Sequence, residues 1–289
     1  MAKHSDNKSS RNLIIGTAAA TIIFFGVLGA IGYTAFSTTN EKVDKLADAV
    51  GTLVENQKTP DEFKSGVSDA IGQYLANEKQ KKVDVLYQDF QAAGEAPIDG
   101  KWVYGEPNAR FTMVEFSDYE CPYCKRFHDT PKRIVDGSKG QVNWEFKHNP
   151  LPFHEPSASR MALAAECVGD QLGNRGFWVA SEEIFARSGG NGAGVADLNA
   201  LAEDVGADVG EFNECIESGK FDDKIAADLK RGTQLGVNGT PATFIVDNHT
   251  GNIQQINGAQ PPEAIVGVLR SMMNAQVDSG SAEQGNDPS

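Results

Sequence analysis

Hydrophobic positions along the 289 residues fall into successive regimes. From Leu13 to Phe36 they run without a charge, LIIGTAAATIIFFGVLGAIGYTAF, which is long enough for a helix to cross a bilayer core. Lys3, Lys8 and Arg11 precede the run, so residues 1–12 are expected to stay in the cytoplasm and the remainder to be exported. Ala35 and Ser37 also suit a signal-peptidase site, but the span exceeds the usual h-region of roughly 7–15 residues, and a transmembrane anchor over 13–36 is the reading adopted.

From residue 37 to 96 the chain becomes charged and periodic. Val43, Leu46, Val50 and Leu53 recur at spacings of three and four, the rhythm of a helical seam. Thr59-Pro60 then supplies a cap and a first helical position, with Glu62 completing a capping box. Phe63, Val67, Ile71, Tyr74 and Leu75 carry the stripe onward, and Val83, Leu86 and Phe90 extend it. Such a stalk serves as a spacer, or as a homo-oligomerisation element through residues 41–91.

Residues 97–275 read as one compact α/β domain, and 276–289, polar and rich in Gly and Ser, as a disordered tail. Phe111–Ser117 (FTMVEFS) is a strand-length apolar run leading into Cys121 and a helical stretch to about Val135. Val142–Lys147 alternates as a second strand. Residues 156–236 are Ala-rich and mostly helical, broken by a Gly-rich loop at Ser188–Gly194. Ala242–Val246 and Asn252–Ile256 flank the turn Asn248-His249-Thr250-Gly251, and a last helix follows Pro261-Pro262. The order strand–helix–strand, helical block, hairpin–helix predicts a mixed sheet with a helical insertion at about 156–220. No internal repeat interrupts it.

A formal charge of −14 argues against nucleic acid as a partner, because binding it needs a basic footprint. The four cysteines are too few for a disulfide scaffold, and divide into a close pair, Cys121 and Cys124, and a distant one, Cys167 and Cys215.

The close pair carries the chemistry. A cysteine at the start of a helix faces unpaired N–H groups and the positive end of the helix dipole, which favour its thiolate. Cys121 is therefore the expected nucleophile, and Cys124, nearly a turn on, the thiol that resolves a mixed disulfide. Pro122 fits the first turn, where its missing N–H costs nothing. Cys121, Cys124 and His128 would also make three zinc ligands, but there is no second CxxC, and His148, His154 and His249 lack ligand spacing. No metal and no cofactor are implied. Gly190-Asn191-Gly192-Ala193-Gly194 lacks the spacing and the preceding strand of a phosphate loop and reads as a flexible connection.

Val114-Glu115-Phe116-Ser117-Asp118-Tyr119-Glu120-Cys121-Pro122-Tyr123-Cys124 resembles the active-site segment of the DsbA-like branch of the thioredoxin superfamily. Gly236-Val237-Asn238-Gly239-Thr240-Pro241-Ala242-Thr243-Phe244 resembles its cis-proline loop, and Asn149-Pro150-Leu151-Pro152 through Phe177-Trp178 its inserted helical region. The resemblance covers residues 101–275 and implies a thioredoxin-like fold. It implies a cis Pro241 packed on the Cys121 sulfur, with Thr240 offering backbone groups to a substrate strand. Glu115 falls at the family's buried acid, positioned to exchange protons with Cys124. Pro122 and Tyr123 fall at the dipeptide that tunes redox potential, and Cys167 and Cys215 form a structural disulfide in some similar proteins. The implied activity is thiol:disulfide exchange in exported proteins, with a membrane redox partner that reoxidises or reduces the site. An oxidase, an isomerase or reductase oligomerised by the stalk, and a tethered non-catalytic interaction module are the competing forms.

Overall fold

The structure, a computed structural model, describes residues 60–283. The expected anchor at 13–36, the seam at 43–53 and the Thr59 cap lie outside the described residues. Among those described, no helix is long and apolar enough to cross a membrane. The chain divides after Glu78 into two compact units. In the first, helix α1 (Pro60–Gln88) begins, with Asp61 and Glu62 at the positive end of its dipole. Along it Ile71 and Leu75 stay 44% and 61% exposed.

The second unit is built on five strands: β1 (Val103–Tyr104), β2 (Phe111–Ser117), β3 (Val142–His148), β4 (Ala242–Asp247) and β5 (Ile253–Asn257). Their order is β1-β3-β2-β4-β5, with β2 and β3 parallel and every other pair antiparallel. A parallel pair needs a crossover, supplied by helices α2 (Pro122–Phe127) and α3 (Asp129–Gly137). A single helix from Cys121 to about Val135 was expected. Pro131 explains the break, because it has no N–H for the Phe127 carbonyl and its ring crowds that oxygen.

The register sets Phe111, Met113, Glu115 and Ser117 beside Val142, Trp144, Phe146 and His148, and alternation places them on one face. That face packs against the long helix α4 (Ser157–Arg187), with ring centroids 4.3 Å apart for Trp144–Trp178 and 5.6 Å for Phe146–Phe177. Each fully buried aromatic contributes about 1.5–3 kcal/mol. Helices α5 (Leu198–Asp204) and α6 (Val209–Ser218) pack on α4, and α7 (Asp222–Gln234) reaches the other face of the sheet, where Lys147 Nζ lies 2.9 Å from Asp228. Glu166 of α4 ties these layers together. Its buried carboxylate accepts from Trp102 Nε1 at 2.8 Å and Lys224 Nζ at 2.7 Å and meets His148 Nε2 at 2.8 Å. Burial opposes its ionisation, but His148 and Lys224 outweigh burial and hold it below the usual range.

Two boundaries differ from expectation. Phe90 and Ala93, read as stalk, are buried in the core, and Gly105 N donates to the Ala92 carbonyl at 3.0 Å. The reason lies in α4, which kinks at Gly173 (φ 73°) so that Asn174 N reaches the Glu95 carbonyl at 2.9 Å; a Cβ at 173 would sit 2.2 Å from that oxygen. The compact unit thus begins before residue 97. At the other end α8 runs Pro262–Glu283, through residues 276–283 that were expected in the tail.

Cys167 of α4 and Cys215 of α6 form a disulfide with Cα atoms 5.8 Å apart and a sequence separation of 48. Replacing both by Ala should lower the unfolding free energy by about 2–4 kcal/mol, through the loop entropy returned to the unfolded chain. Denaturant titration of wild type and the double variant measures the difference, and the alkylation rate of Cys121 should not change.

Candidate active site

The three residues between β2 and Cys121 bury their side chains in three directions. Asp118 accepts from Leu151 N at 2.9 Å and Glu120 N at 2.8 Å and pairs with His154 Nδ1 at 2.7 Å. Burial raises its pKa, and those partners pull it part of the way back. The Tyr119 ring stacks on Phe146 at 5.4 Å while its hydroxyl meets Ser181 Oγ at 2.7 Å. Glu120, 0% exposed, accepts from Ser188 Oγ at 2.5 Å and from Gly192 N and Gly194 N at 3.0 and 2.9 Å. The turn is closed by Cys121 N donating to the Asp118 carbonyl at 3.1 Å.

Cys121 is thereby set at the N-cap of α2 with extended backbone (φ −82°, ψ 118°) and Pro122 following. Both cysteines are thiols in this structure; Cys121 is 5% exposed and Cys124 is sealed at 0%. Their environments drive them apart. The Cys124 thiol donates to the Cys121 sulfur, and this, with the Thr240 side chain and the Cys124 and Tyr123 amides, lowers the Cys121 pKa from 9.0 to about 5 against the opposing effect of burial. Burial raises Cys124 well above its ordinary value, and the neighbouring Cys121 and Glu115 charges push it further.

Opposite the nucleophile, Thr240-Pro241 is a cis peptide, and the Cys121 thiol lies 3.5 Å from the Thr240 carbonyl oxygen. A second cis peptide, Glu155-Pro156, was not anticipated. Glu115 sits on β2 with 0% exposure, and neither carboxylate oxygen has a hydrogen-bond partner among the described residues. Burial raises its pKa from 4.5 to about 7, although the nearby Ser117 hydroxyl and Trp144 indole offset part of the rise.

Cys121, Cys124, Glu115, Thr240 and Pro241 are thus gathered by the fold, while Tyr123 stands out into solvent at 58% exposure. His128 turns away from the cysteines. Its ring packs 5.2 Å from Trp144 and 4.7 Å from Phe185, Nε2 is 3.4 Å from Glu182, and burial lowers its pKa to about 3. No group of three or more potential metal ligands forms among the described residues. The glycine loop, expected to be a flexible connection, is hydrogen-bonded to Glu120. Sequence reasoning passed over Asp118, Glu120 and Lys125. The one available signal was three successive residues, two of them acidic, between an apolar strand and the nucleophile, facing a glycine cluster with no assigned partner.

A parallel–antiparallel sheet with a CxxC at a helix start and a cis proline across from its first sulfur defines a thioredoxin-fold dithiol site, the geometry of thiol:disulfide exchange. The family described as Thioredoxin matches residues 98–267. The crystal structure of DsbA2 from Pseudomonas aeruginosa is 31% identical, with a TM-score of 0.55 over 61% of this chain and 96% of that one. BdbD from Bacillus subtilis, 24% identical with a TM-score of 0.52, covers 62% and 96% and shares the fold. Among full-length relatives, the Na(+)/H(+) antiporter NhaA 1 of Salinispora arenicola is 31% identical over 147 residues, which are 51% of this chain and 22% of the antiporter. The chain belongs to the thioredoxin family, in its DsbA-like branch.

Two outcomes are expected of these environments. Iodoacetamide alkylation of Cys121 should titrate with a midpoint near pH 5, and Cys124→Ala should raise it by about one pH unit or more by removing the donor. For Glu115, whose folded pKa lies above its unfolded value, the native state holds the extra proton, so stability falls as pH rises from 4.5 to about 7. Glu115→Gln removes that penalty: its unfolding free energy relative to wild type should rise across this window by up to about 3 kcal/mol. Equal pH slopes for the two proteins would place the carboxyl in contact with water.

Proposed function

We propose that this chain is a membrane-anchored envelope thiol:disulfide oxidoreductase that forms or exchanges disulfides in exported proteins. The carrying observation is the opposed pair: a Cys121 thiol lowered to about 5 beside cis Thr240-Pro241, backed by a fully sealed Cys124 whose pKa is raised. The uncharged run at 13–36 supports the anchor, and the charge step before it supports export of the domain.

In the oxidising direction, a substrate thiolate attacks the Cys121 sulfur of the Cys121–Cys124 disulfide. That bond breaks, a mixed disulfide forms, and Cys124 leaves as a thiolate that takes a proton. Glu115, neutral in part near pH 7, is the proton donor within the buried layer. A second substrate thiolate then displaces Cys121, so that two electrons pass from substrate to protein and a membrane redox partner removes them. Reduction of a substrate disulfide is the same sequence reversed, with Glu115 accepting the Cys124 proton. Thr240 and cis Pro241 offer the substrate backbone its pairing edge.

Stabilising the departing Cys121 thiolate makes the disulfide a stronger oxidant. A nucleophile at about 5 falls between thioredoxin at about 7 and DsbA at about 3.5. The oxidase form is favoured on this ground. The exposed Ile71 and Leu75 of α1 favour a second form, an isomerase or reductase assembled through residues 41–91.

Equilibration of the full chain with glutathione should give a potential between about −120 and −200 mV. A value below about −230 mV would overturn the oxidase reading in favour of reductase duty, and failure of Cys121→Ser to abolish exchange would overturn both.

A further inference from the structure

The loop Ser188–Gly194 takes no part in the thiol chemistry above, yet its backbone is densely hydrogen-bonded. All six of its amides from Gly189 to Gly194 have acceptors. Gly189 N donates to the Gly194 carbonyl, Gly190 N to Ser188 Oγ, Asn191 N to the Glu120 carbonyl, Ala193 N to the Gly190 carbonyl, and Gly192 N and Gly194 N to Glu120 Oε2. This convergence requires left-handed backbone at Gly190, Asn191 and Gly192 (φ 72°, 54° and 88°), conformations that glycine adopts freely and asparagine tolerates. The result is an anion-binding nest already filled by the chain's own carboxylate.

The clamp has a second jaw. Lys125 Nζ, one residue past Cys124, donates to the carbonyls of Ala186 and Ser188 at 3.1 and 3.2 Å. Glu120 and Lys125 therefore bracket Cys121-Pro122-Tyr123-Cys124 and hold the loop against it from both ends. A Cβ at Gly190 would lie 3.8 Å from Pro122 Cγ, and one at Gly192 would lie 3.5 Å from the His154 carbonyl, next to Phe153, which is 75% exposed. The Cys121 sulfur thus faces the Thr240 carbonyl, while the loop lies against its sequence neighbours Glu120 and Pro122.

We propose that Glu120 is a positioning residue that makes loop 188–194 a rigid wall beside the Cys121 turn. This wall, with exposed Phe153 and Tyr123 near it, selects extended polypeptide carrying an apolar residue beside its cysteine over small disulfides. The inference rests on the exchange function proposed above and names the substrate class of the same site. A wall ordered before binding spares the substrate the entropy of ordering it, and every loop N–H is already occupied, so the contact it offers is one of shape and apolar surface.

The test compares reduced full-length wild type, Glu120→Gln and Ser188→Ala against two probes, cystamine and a disulfide-linked pair of decapeptides with Phe beside Cys. In Glu120→Gln the amide N–H₂ confronts the loop amides. Its single-turnover rate ratio of peptide to cystamine should fall about tenfold through weaker saturation by the peptide, the rate at saturation changing little. In Ser188→Ala, which keeps the carboxylate and both its glycine contacts but loses the two hydrogen bonds of Ser188 Oγ, to Glu120 and from Gly190 N, the ratio should fall about threefold or more. An unchanged ratio in Ser188→Ala and in folded Glu120→Gln overturns the proposal, as do parallel losses on both probes, which would place Glu120 on the nucleophile. Should Glu120→Gln fail to fold, Ser188→Ala alone decides. Wild type inert toward both probes would overturn the exchange function and this inference with it, whereas active wild type with unshifted ratios defeats the inference alone.

Discussion

Holding a thiolate at Cys121 demands that a few amide N–H dipoles and one thiol point at the sulfur and stay there. Dipoles that must first reorient lose most of their value, so the first turn of α2 cannot be loosely attached. In this chain the attachment is made by the residues just before it. Asp118 binds the turn after β3, Tyr119 binds α4 through Ser181, and Glu120 binds the loop after α4. These bonds are buried or part-buried, where low dielectric strengthens a satisfied polar contact and penalises an unsatisfied one. Asp118 and Tyr119 hold the N-cap to two separate parts of the fold, and the thiolate inherits their rigidity, while Glu120 carries the attachment outward to the glycine loop.

The same turn creates the asymmetry between the two sulfurs. One helical turn into α2, Cys124 points at the sheet face that carries Glu115, where water is absent and charge is costly. A carboxyl placed there without a hydrogen-bond partner is destabilising to the fold in its charged form, which is the reason its proton is held to about pH 7. A buried, titrating acid next to a buried thiol is a cost that packing alone would have removed with a leucine. The proton exchange proposed for Glu115 is the chemistry that would give this cost a purpose.

What could be read from the sequence follows the range of the interactions involved. The strands β2, β3, β4 and β5, the helix starting at Cys121 and the loop 188–194 all announce themselves within short windows, by alternation, by Pro122 and by glycine. Pro241 and Glu115 were legible through the family resemblance rather than through local pattern. Hidden from both were the contacts that cross the chain. Phe90 and Ala93 look like the end of an amphipathic stripe until Gly173 opens α4 to accept Glu95. Glu120 looks like a surface acid until Ser188–Gly194, about seventy residues on, folds its amides over it. A run of glycines reads as freedom in one dimension, and only the partner reveals that the same residues were needed for a fixed, left-handed cradle.

Sheet topology then explains why these distant pieces meet. The end of β2 lies beside the end of its parallel neighbour β3, through Ser117 and His148, and beside the start of antiparallel β4, through Phe116 and Ala242. One rim of the sheet therefore receives the Cys121 turn, the Asn149–His154 turn and the Thr240-Pro241 loop without further design. The insertion that begins after that rim must return to it before β4 can start, and it does so with α4 ending at Arg187 and the glycine loop following. Three of the four segments around the sulfur are thus placed by strand order alone, and the fourth, the glycine loop, is placed by Glu120 and Lys125. That fourth segment is thus the part of the rim held by side chains rather than by the strand ladder.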